Sequence, residues 1–278
     1  MKFIINIIFL VNICFAQINN YTPIFEPFSN NGKDSVYIRK FMQNGQQNAL
    51  VVDANTLKTS IVLYRAQQNI DISGSKYFKL LKQYSKPPFI LAEYGLKQIH
   101  TDGIVITIDM CQSSKEFEKA LFERLKNEPV AICMSGKWAQ NHKSEFAWLI
   151  NNMKNVTWVN HSMTHPYYKN LPYEENFLLS QDVNFDYEVL GLEVLLLENN
   201  ITPSIYFRFP GLISDEKRVK MLNRLGLVPL STNAWLAKKQ NPKKGSIVLI
   251  HGNGNEPDGI KAFFSFDKQN KLPYRALN

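Results

Sequence analysis

The order of apolar and amphipathic segments after Gly103 constrains the fold more than any other feature of this sequence. Short apolar runs alternate there with longer amphipathic stretches. A buried parallel strand is a continuous apolar run, and a helical crossover connects it to the next strand. The alternation therefore predicts a parallel sheet covered by helices, either open or closed into a barrel. The predicted strands are 103–109, 130–134, 156–159, 204–207, 227–230 and 246–250, and the predicted helices are 115–126, 144–153, 174–199 and 215–225.

Reactive side chains lie at the ends of several predicted strands. Asp109 ends the first strand and Arg208 ends the fourth, while His161 and His165 follow the third. His251 ends the last strand. Ligands of parallel α/β sheets bind outside the carboxyl ends of the strands. We therefore expect these five side chains to converge on one rim of the sheet.

The segment from His161 to His165 reads His-Ser-Met-Thr-His and is the most specific local signal. Two imidazoles four positions apart can bind one divalent ion, although a structural histidine pair is the alternative. A zincin helix is excluded, because Ser162 stands where that motif requires glutamate. Pro166 disfavours helical geometry at His165, so the pair is predicted to lie on a loop.

Residues 1–16 have the features of a secretory signal peptide. Lys2 supplies the positive charge, an apolar stretch extends to Phe15, and Cys14 and Ala16 are small residues at the cleavage positions. The apolar stretch is shorter than the span of about 20 residues that a membrane helix needs. We expect export to the periplasm or the extracellular space. A lipoprotein acylated at Cys14 and an uncleaved N-terminal anchor are the alternatives, and membrane contact is expected only through this segment.

Residues 17–100 differ in composition from the rest and are rich in Asn, Gln, Ser and Lys. Two β-rich runs, 49–52 and 59–64, flank a turn-forming segment at 53–55 and predict a hairpin. A short amphipathic stretch at 77–84 precedes two prolines. We interpret 17–100 as a small β-containing appendage of unknown role and 101–278 as the main domain, which carries the reactive side chains.

Charge and cysteine content exclude some classes of protein. The formal net charge is +8, but the lysines are scattered, and no nucleic-acid-binding module is recognisable. A basic surface can favour anionic envelope polymers. Two of the three cysteines, Cys111 and Cys133, remain after cleavage. They either pair in an oxidising compartment or are buried free thiols.

The order and spacing of these residues resemble the polysaccharide deacetylase family (carbohydrate esterase family 4, chitooligosaccharide deacetylase homology), which has five motifs along a distorted (β/α)7 barrel. Residues 107–111, Thr-Ile-Asp-Met-Cys, stand where that family has Thr-Phe-Asp-Asp-Gly. The segment 161–165 matches the family's His-Ser/Thr-x-x-His, and 208–211 approximates its Arg-x-Pro-aromatic-Gly. Trp235 represents the fourth motif, and 249–251 matches the fifth, Leu-x-His. The resemblance extends over about residues 103–277.

The resemblance implies a hydrolase that removes acetyl groups from N-acetylated or O-acetylated polysaccharide of the cell envelope or extracellular space, such as peptidoglycan. It implies a divalent metal, with zinc expected. An inactive deacetylase fold that binds glycan and a hydrolase of small non-sugar amides are the alternatives. The implied roles are Asp109 as general base, His251 as general acid, Arg208 as the residue that orients the base, His161 and His165 as metal ligands, and Trp235 and Pro210 as substrate-binding residues.

Met110 is a departure from the family pattern. It stands where the resemblance places a metal-binding aspartate, and a thioether is a poor ligand for zinc. Three outcomes are open: Asp109 joins the metal ligands, another carboxylate completes the set, or the site does not turn over. Asn233 likewise stands where an aspartate usually tunes the catalytic histidine.

Overall fold

The computed structural model describes residues 17–30 and 32–277. The predicted signal peptide, 1–16, lies outside the described residues. Within the described part of the chain, no helix combines the length and the apolar character that crossing a membrane requires.

The N-terminal region forms a four-stranded antiparallel sheet in the order β1-β2-β3-β4. The predicted hairpin is confirmed, because Ala49 pairs with Val62 across its two strands, and the Asp53 carboxylate accepts hydrogen bonds from the backbone N–H groups of Asn55 and Thr56 in the turn. The first two strands were not predicted, and register shifts interrupt their pairing. The elements are β1 Ile18–Asn30, β2 Lys33–Gln43, β3 Gln46–Asp53, β4 Thr59–Leu63 and α1 Lys76–Gln83, which covers the predicted amphipathic stretch.

The rest of the chain builds a seven-stranded parallel sheet in the order β10-β11-β5-β6-β7-β8-β9. All six predicted strands are present, and the short strand β10 was missed. The strands are β5 Val105–Met110, β6 Pro129–Met134, β7 Asn155–Asn160, β8 Tyr206–Phe207, β9 Val228–Pro229, β10 Ala234–Trp235 and β11 Ile247–His251.

The sheet curls strongly. Arg208 directly follows β8, yet its guanidinium reaches Asp109 on β5, although β6 and β7 lie between these strands in the sheet. This curvature and the all-parallel order confirm the predicted distorted (β/α)7 barrel. The segment before residue 100 bridges the gap between the two edges of the curled sheet. Leu96 pairs with Leu230, directly after β9, and Gln98 pairs with Ser246, directly before β11.

Helices cover the outside of the sheet, and one predicted helix is wrong over its first half. The segment 174–184 forms two short 3-10 turns instead of helix. No α-helix forms there, because the Asn176 side chain hydrogen-bonds to the backbone and Phe177 adopts a positive φ of 52°. Asn184 then caps the helix by accepting a hydrogen bond from the Tyr187 N–H. The helices are α2 Lys119–Leu125, α3 Gly136–Asn141, α4 Lys143–Asn152, α5 Phe185–Glu198, α6 Glu216–Arg224 and α7 Pro257–Gln269.

A buried ion pair joins the N-terminal sheet to the barrel. The Arg39 guanidinium on β2 donates to both carboxylate oxygens of Glu193 on α5, at 2.7 and 2.9 Å. Both side chains are almost fully buried, and the Tyr21 hydroxyl also donates to Glu193. Ile38 shares an apolar cluster with Val159 of the barrel. The boundary between residues 100 and 101 stays a prediction.

Candidate active site

A cavity of about 680 Å³ opens at the carboxyl ends of the barrel strands. Its lining includes Asp109, His161, His165, Trp235 and His251. The curled sheet thus brings together five of the seven residues that the sequence analysis selected, from four different strand ends.

The other two selected residues lie behind the cavity wall. Arg208 is fully buried, and its side chain reaches the site through Asp109. Pro210 is also buried, and it begins a short 3-10 turn whose next residues, Gly211 and Leu212, line the cavity in its place.

Asp109 is held by Arg208 at the base of the cavity. The Arg208 guanidinium donates to the Asp109 carboxylate at 2.7 Å, to the Thr107 hydroxyl at 2.8 Å and to the Ser231 carbonyl at 2.9 Å. Burial alone would raise the pKa of Asp109, but the positive charge of Arg208, with smaller contributions from His161 and His251, lowers it below its usual value. Asp109 is therefore ionised at neutral pH and fixed in orientation.

The loop that carries His161 and His165 is rigidly supported. Asn160 donates to the Val189 carbonyl on α5 and accepts from the Ser162 N–H. The Ser162 hydroxyl oxygen in turn accepts from the His165 N–H, and both residues have positive φ angles, 69° and 49°. The loop conformation predicted from Pro166 is therefore observed, and the strained backbone presents both imidazoles to the cavity.

Three potential metal-ligand atoms meet beside Asp109. Cys111, His161 and His165 each offer one donor atom, and these atoms lie within 4.8 Å of one another. The Cys111 Sγ is 3.4 Å from Nε2 of His161. Nδ1 of His161 is 2.8 Å from the Arg208 carbonyl oxygen. Because a carbonyl can only accept a hydrogen bond, Nδ1 carries a proton, and Nε2 is the nitrogen that offers a lone pair in the neutral imidazole.

The protonation and pairing of these groups fit a divalent metal. Burial alone would raise the pKa of the Cys111 thiol, but the neighbouring imidazoles of His165, His251 and His161 hold it well below its usual range. Cys111 is therefore available as thiolate, the form that binds metal. Nε2 of His165 is buried and has no hydrogen-bond partner among the described residues. One sulfur and two nitrogen donors match the preference of zinc.

A carboxylate holds His251, which pairs with Asp109 on the adjacent strand. Oε2 of Glu256 lies 2.8 Å from Nδ1 of His251 and accepts a second hydrogen bond from the Trp235 indole, also at 2.8 Å. Burial alone would lower the pKa of His251, but Cys111 and then Glu256 raise it well above its usual value. His251 is therefore positioned as a proton donor.

Comparison with solved structures places the chain in a known fold, although no protein-family model matches it. A family 4 carbohydrate esterase from Bacillus anthracis superimposes with a TM-score of 0.51 at 18% identity, covering 76% of this chain and 93% of that one. PdaA of Bacillus subtilis, also a family 4 carbohydrate esterase, gives 0.51 at 16% identity, with 73% and 88% covered. The Bc1960 peptidoglycan N-acetylglucosamine deacetylase gives 0.50 at 15%, with 72% and 94% covered. This chain has the family 4 carbohydrate esterase fold.

Within this esterase fold, Cys111 is a candidate ligand that the sequence analysis missed. Side chains alternate along β5, so Asp109 and Cys111 face the cavity while Met110 faces the helices. Met110 is fully buried in an apolar cluster with Phe122 and Trp138 and contributes nothing to the cavity lining. Cys111 lies two residues after Asp109, and residues two apart on a strand face the same side, so this spacing could have indicated Cys111. Cys111 and Cys133 are both free and buried, so the pairing considered from the sequence is not present.

Glu256 is the second functional candidate that the sequence analysis missed. Asn233, the position considered for tuning the catalytic histidine, instead accepts a hydrogen bond from the Ile247 N–H and so joins β10 to β11. Glu256 contacts His251 because the chain turns after β11 and starts α7 at Pro257. A carboxylate five residues beyond a histidine carries no recognisable spacing signal.

Proposed function

We propose that this protein is a divergent polysaccharide deacetylase, an exported metal-dependent hydrolase that removes acetyl groups from N-acetylated (or O-acetylated) polysaccharide of the envelope or extracellular space. One observation carries the proposal: a fixed carboxylate, a proton-donating histidine and a Cys-His-His donor cluster share one cavity. The similarity to a peptidoglycan N-acetylglucosamine deacetylase supports an acetylated amino sugar as substrate.

Cys111, His161 and His165 would hold the metal, with zinc preferred for this combination of nitrogen and sulfur. When bound, such an ion supplies Lewis-acid polarisation of the acetyl carbonyl. The donor cluster lies beside Asp109, since Oδ2 of Asp109 is 3.9 Å from Nε2 of His161, so a metal held there would be next to the base.

Asp109 acts as the general base. Its carboxylate takes a proton from the water that attacks the acetyl carbon, so the new C–O bond forms as the O–H bond breaks. Arg208 keeps this carboxylate ionised and prevents its rotation, because it occupies Oδ1 at 2.7 Å and leaves Oδ2 for the water. Arg208 itself touches no substrate and is a positioning residue.

His251, on the strand next to Asp109, acts as the general acid. It donates a proton to the sugar nitrogen as the C–N bond breaks, which releases acetate and a free amine. Glu256 orients the ring through Nδ1 and leaves Nε2 as the nitrogen that can face the substrate. Trp235, whose ring centroid lies 6.0 Å from that of His251, forms an apolar wall for the acetyl methyl group.

Acetate release is the decisive experiment. Full-length mature protein supplied with zinc, cobalt or manganese should release acetate from tetra-N-acetylchitotetraose or from peptidoglycan fragments, and a chelator should abolish the release. If the protein binds these glycans and releases no acetate with any of the ions, it is an inactive glycan-binding relative. If it cleaves only small acetamides, the non-sugar hydrolase alternative replaces the proposal.

A further inference from the structure

An exposed aromatic surface lies on the loop between His165 and α5. The solvent-exposed fractions of Tyr167 and Tyr173 are both 60%. Four of the eight most exposed large hydrophobic side chains among the described residues belong to this one loop, the others being Tyr168 and Leu171. Such a concentration beside a cavity marks a contact surface rather than the scattered apolar residues of an ordinary protein surface.

Two of these exposed rings, Tyr167 and Tyr173, pack on the largely buried ring of Phe177, and together the three rings form a surface that begins in the active-site cavity. The ring centroid of Phe177 lies 5.4 Å from that of Tyr167 and 6.3 Å from that of Tyr173. The interplanar angles are only 35° and 32°. Tyr167 and Phe177 line the cavity, and Tyr173 extends the surface outward from Phe177. We call these three residues the aromatic platform.

A buried amide holds the platform in place. The Asn176 side chain is almost fully buried and makes four hydrogen bonds with backbone groups. It accepts from the N–H groups of Tyr168 and Phe177 at 2.9 and 2.8 Å, and it donates to the carbonyls of Tyr168 and Leu171 at 2.7 and 3.0 Å. These contacts fix the backbone on both sides of Tyr173 and next to Tyr167, so the loop that carries the exposed rings is preorganised.

The Phe177 ring at the centre of the platform is fixed from below by Gly211. A Cβ atom on Gly211 would lie 2.4 Å from the Phe177 ring, so only glycine allows this contact. Gly211 also has a positive φ of 63°, which glycine adopts without strain. The platform is therefore anchored to the cavity wall.

We propose that the aromatic platform is a sugar-binding subsite, which stacks against the pyranose ring next to the acetylated sugar in the cavity. The C–H face of a pyranose ring is flat and apolar and packs well on an aromatic ring, while tyrosine hydroxyls can hydrogen-bond to sugar hydroxyls. This inference rests on the proposed function and narrows it. The substrate is an oligomer or polymer with a sugar on the platform side, not a monosaccharide or a small amide.

Equilibrium binding of tetra-N-acetylchitotetraose and of N-acetylglucosamine to the full mature protein tests the subsite. Tyr173→Ala should weaken tetramer binding about threefold to tenfold, the usual contribution of one aromatic contact, and leave monomer binding unchanged. Tyr173→Phe keeps the ring and should bind the tetramer nearly as wild type does. Tyr187→Ala removes a tyrosine of similar exposure on α5, outside the cavity lining, and should have no effect.

Measuring binding separately from turnover distinguishes the two proposals. A tetramer preference that Tyr173→Ala removes supports the subsite even if no acetate is released, in which case only the enzymatic proposal fails. Equal loss for tetramer and monomer, or no loss for either, overturns the subsite. Failure of the wild-type protein to bind the tetramer also overturns it and favours a protein partner for this surface.

Discussion

Nδ1 of His251 lies 2.8 Å from Oε2 of Glu256, a residue only five positions later that belongs to the turn into α7. The pair joins the end of a barrel strand to the start of the next helix. It fixes the orientation of the imidazole and places a negative charge beside it. The same carboxylate oxygen binds the Trp235 indole, so Glu256 also sets the position of the aromatic wall.

Replacing Glu256 with glutamine should shift the pH dependence of acetate release. His251 must be protonated to act as an acid, so activity falls as pH rises through the pKa of His251. Glu256 raises that pKa, and removing its charge lowers it. The basic limb of the pH profile should therefore move to lower pH. Trp235→Phe, which removes the other hydrogen bond but leaves the carboxylate, is the control and should leave this limb in place.

Cys111→Ala should remove a large part of the metal affinity, as His161→Ala and His165→Ala should, because each supplies one of three clustered donor atoms. Metal content after dialysis measures the loss. The cobalt-substituted wild-type protein should also show a thiolate-to-metal charge-transfer band that Cys111→Ala lacks. Cys133→Ala changes the other free thiol and should keep the band. A band that persists in Cys111→Ala refutes thiolate ligation.

Met110→Asp should destabilise the protein rather than restore a metal ligand. Met110 is fully buried in the apolar cluster behind β5, where a carboxylate would be unpaired. The free energy of unfolding should fall by at least about 3 kcal/mol, measured by denaturant titration. Met110→Leu conserves volume and should cost less than about 1.5 kcal/mol. Tighter metal binding without loss of stability would show that position 110 faces the cavity after all.

Asp109→Asn should reduce the turnover number by a factor of about 10²–10⁴ while glycan binding changes little, because the amide keeps the shape and loses the proton acceptor. The substitution also leaves the buried Arg208 without its ion-pair partner. The melting temperature must therefore be measured in parallel. A folded variant with wild-type turnover would exclude Asp109 as the base.

Glu193→Ala should lower the free energy of unfolding by about 3–5 kcal/mol, since it leaves Arg39 as an unpaired charge between the N-terminal sheet and α5. The matched control is Glu216→Ala, which breaks an exposed helical pair with Lys220 and should cost less than about 0.5 kcal/mol. Arg39→Met combined with Glu193→Leu should recover much of the loss. Equal effects of Glu193→Ala and Glu216→Ala would contradict a structural role for the buried pair.

The sequence determined the features that depend on local pattern. Alternating apolar and amphipathic segments were sufficient to predict the parallel sheet and its helices, because a strand buried on both faces must be continuously apolar. Four reactive residues lie at or just after strand ends, which was sufficient to predict that they share one rim: Asp109, His161, His165 and His251. The predicted helix at 174–199 was wrong at its start, because the Asn176 side chain competes with helix for the backbone N–H groups.

Only the tertiary structure decided which side chains complete the site. Cys111 lies beside the histidines because side chains alternate at the end of β5. Asp109 and Cys111 face the cavity, and Met110 between them faces the helices. Glu256 reaches His251 because a turn folds the chain back, and Arg208 reaches Asp109 because the sheet curls across two intervening strands. Only the Cys111 contact leaves a periodic signal, its spacing of two from Asp109, whereas the Glu256 and Arg208 contacts depend on how the elements are arranged in space rather than on their order along the chain.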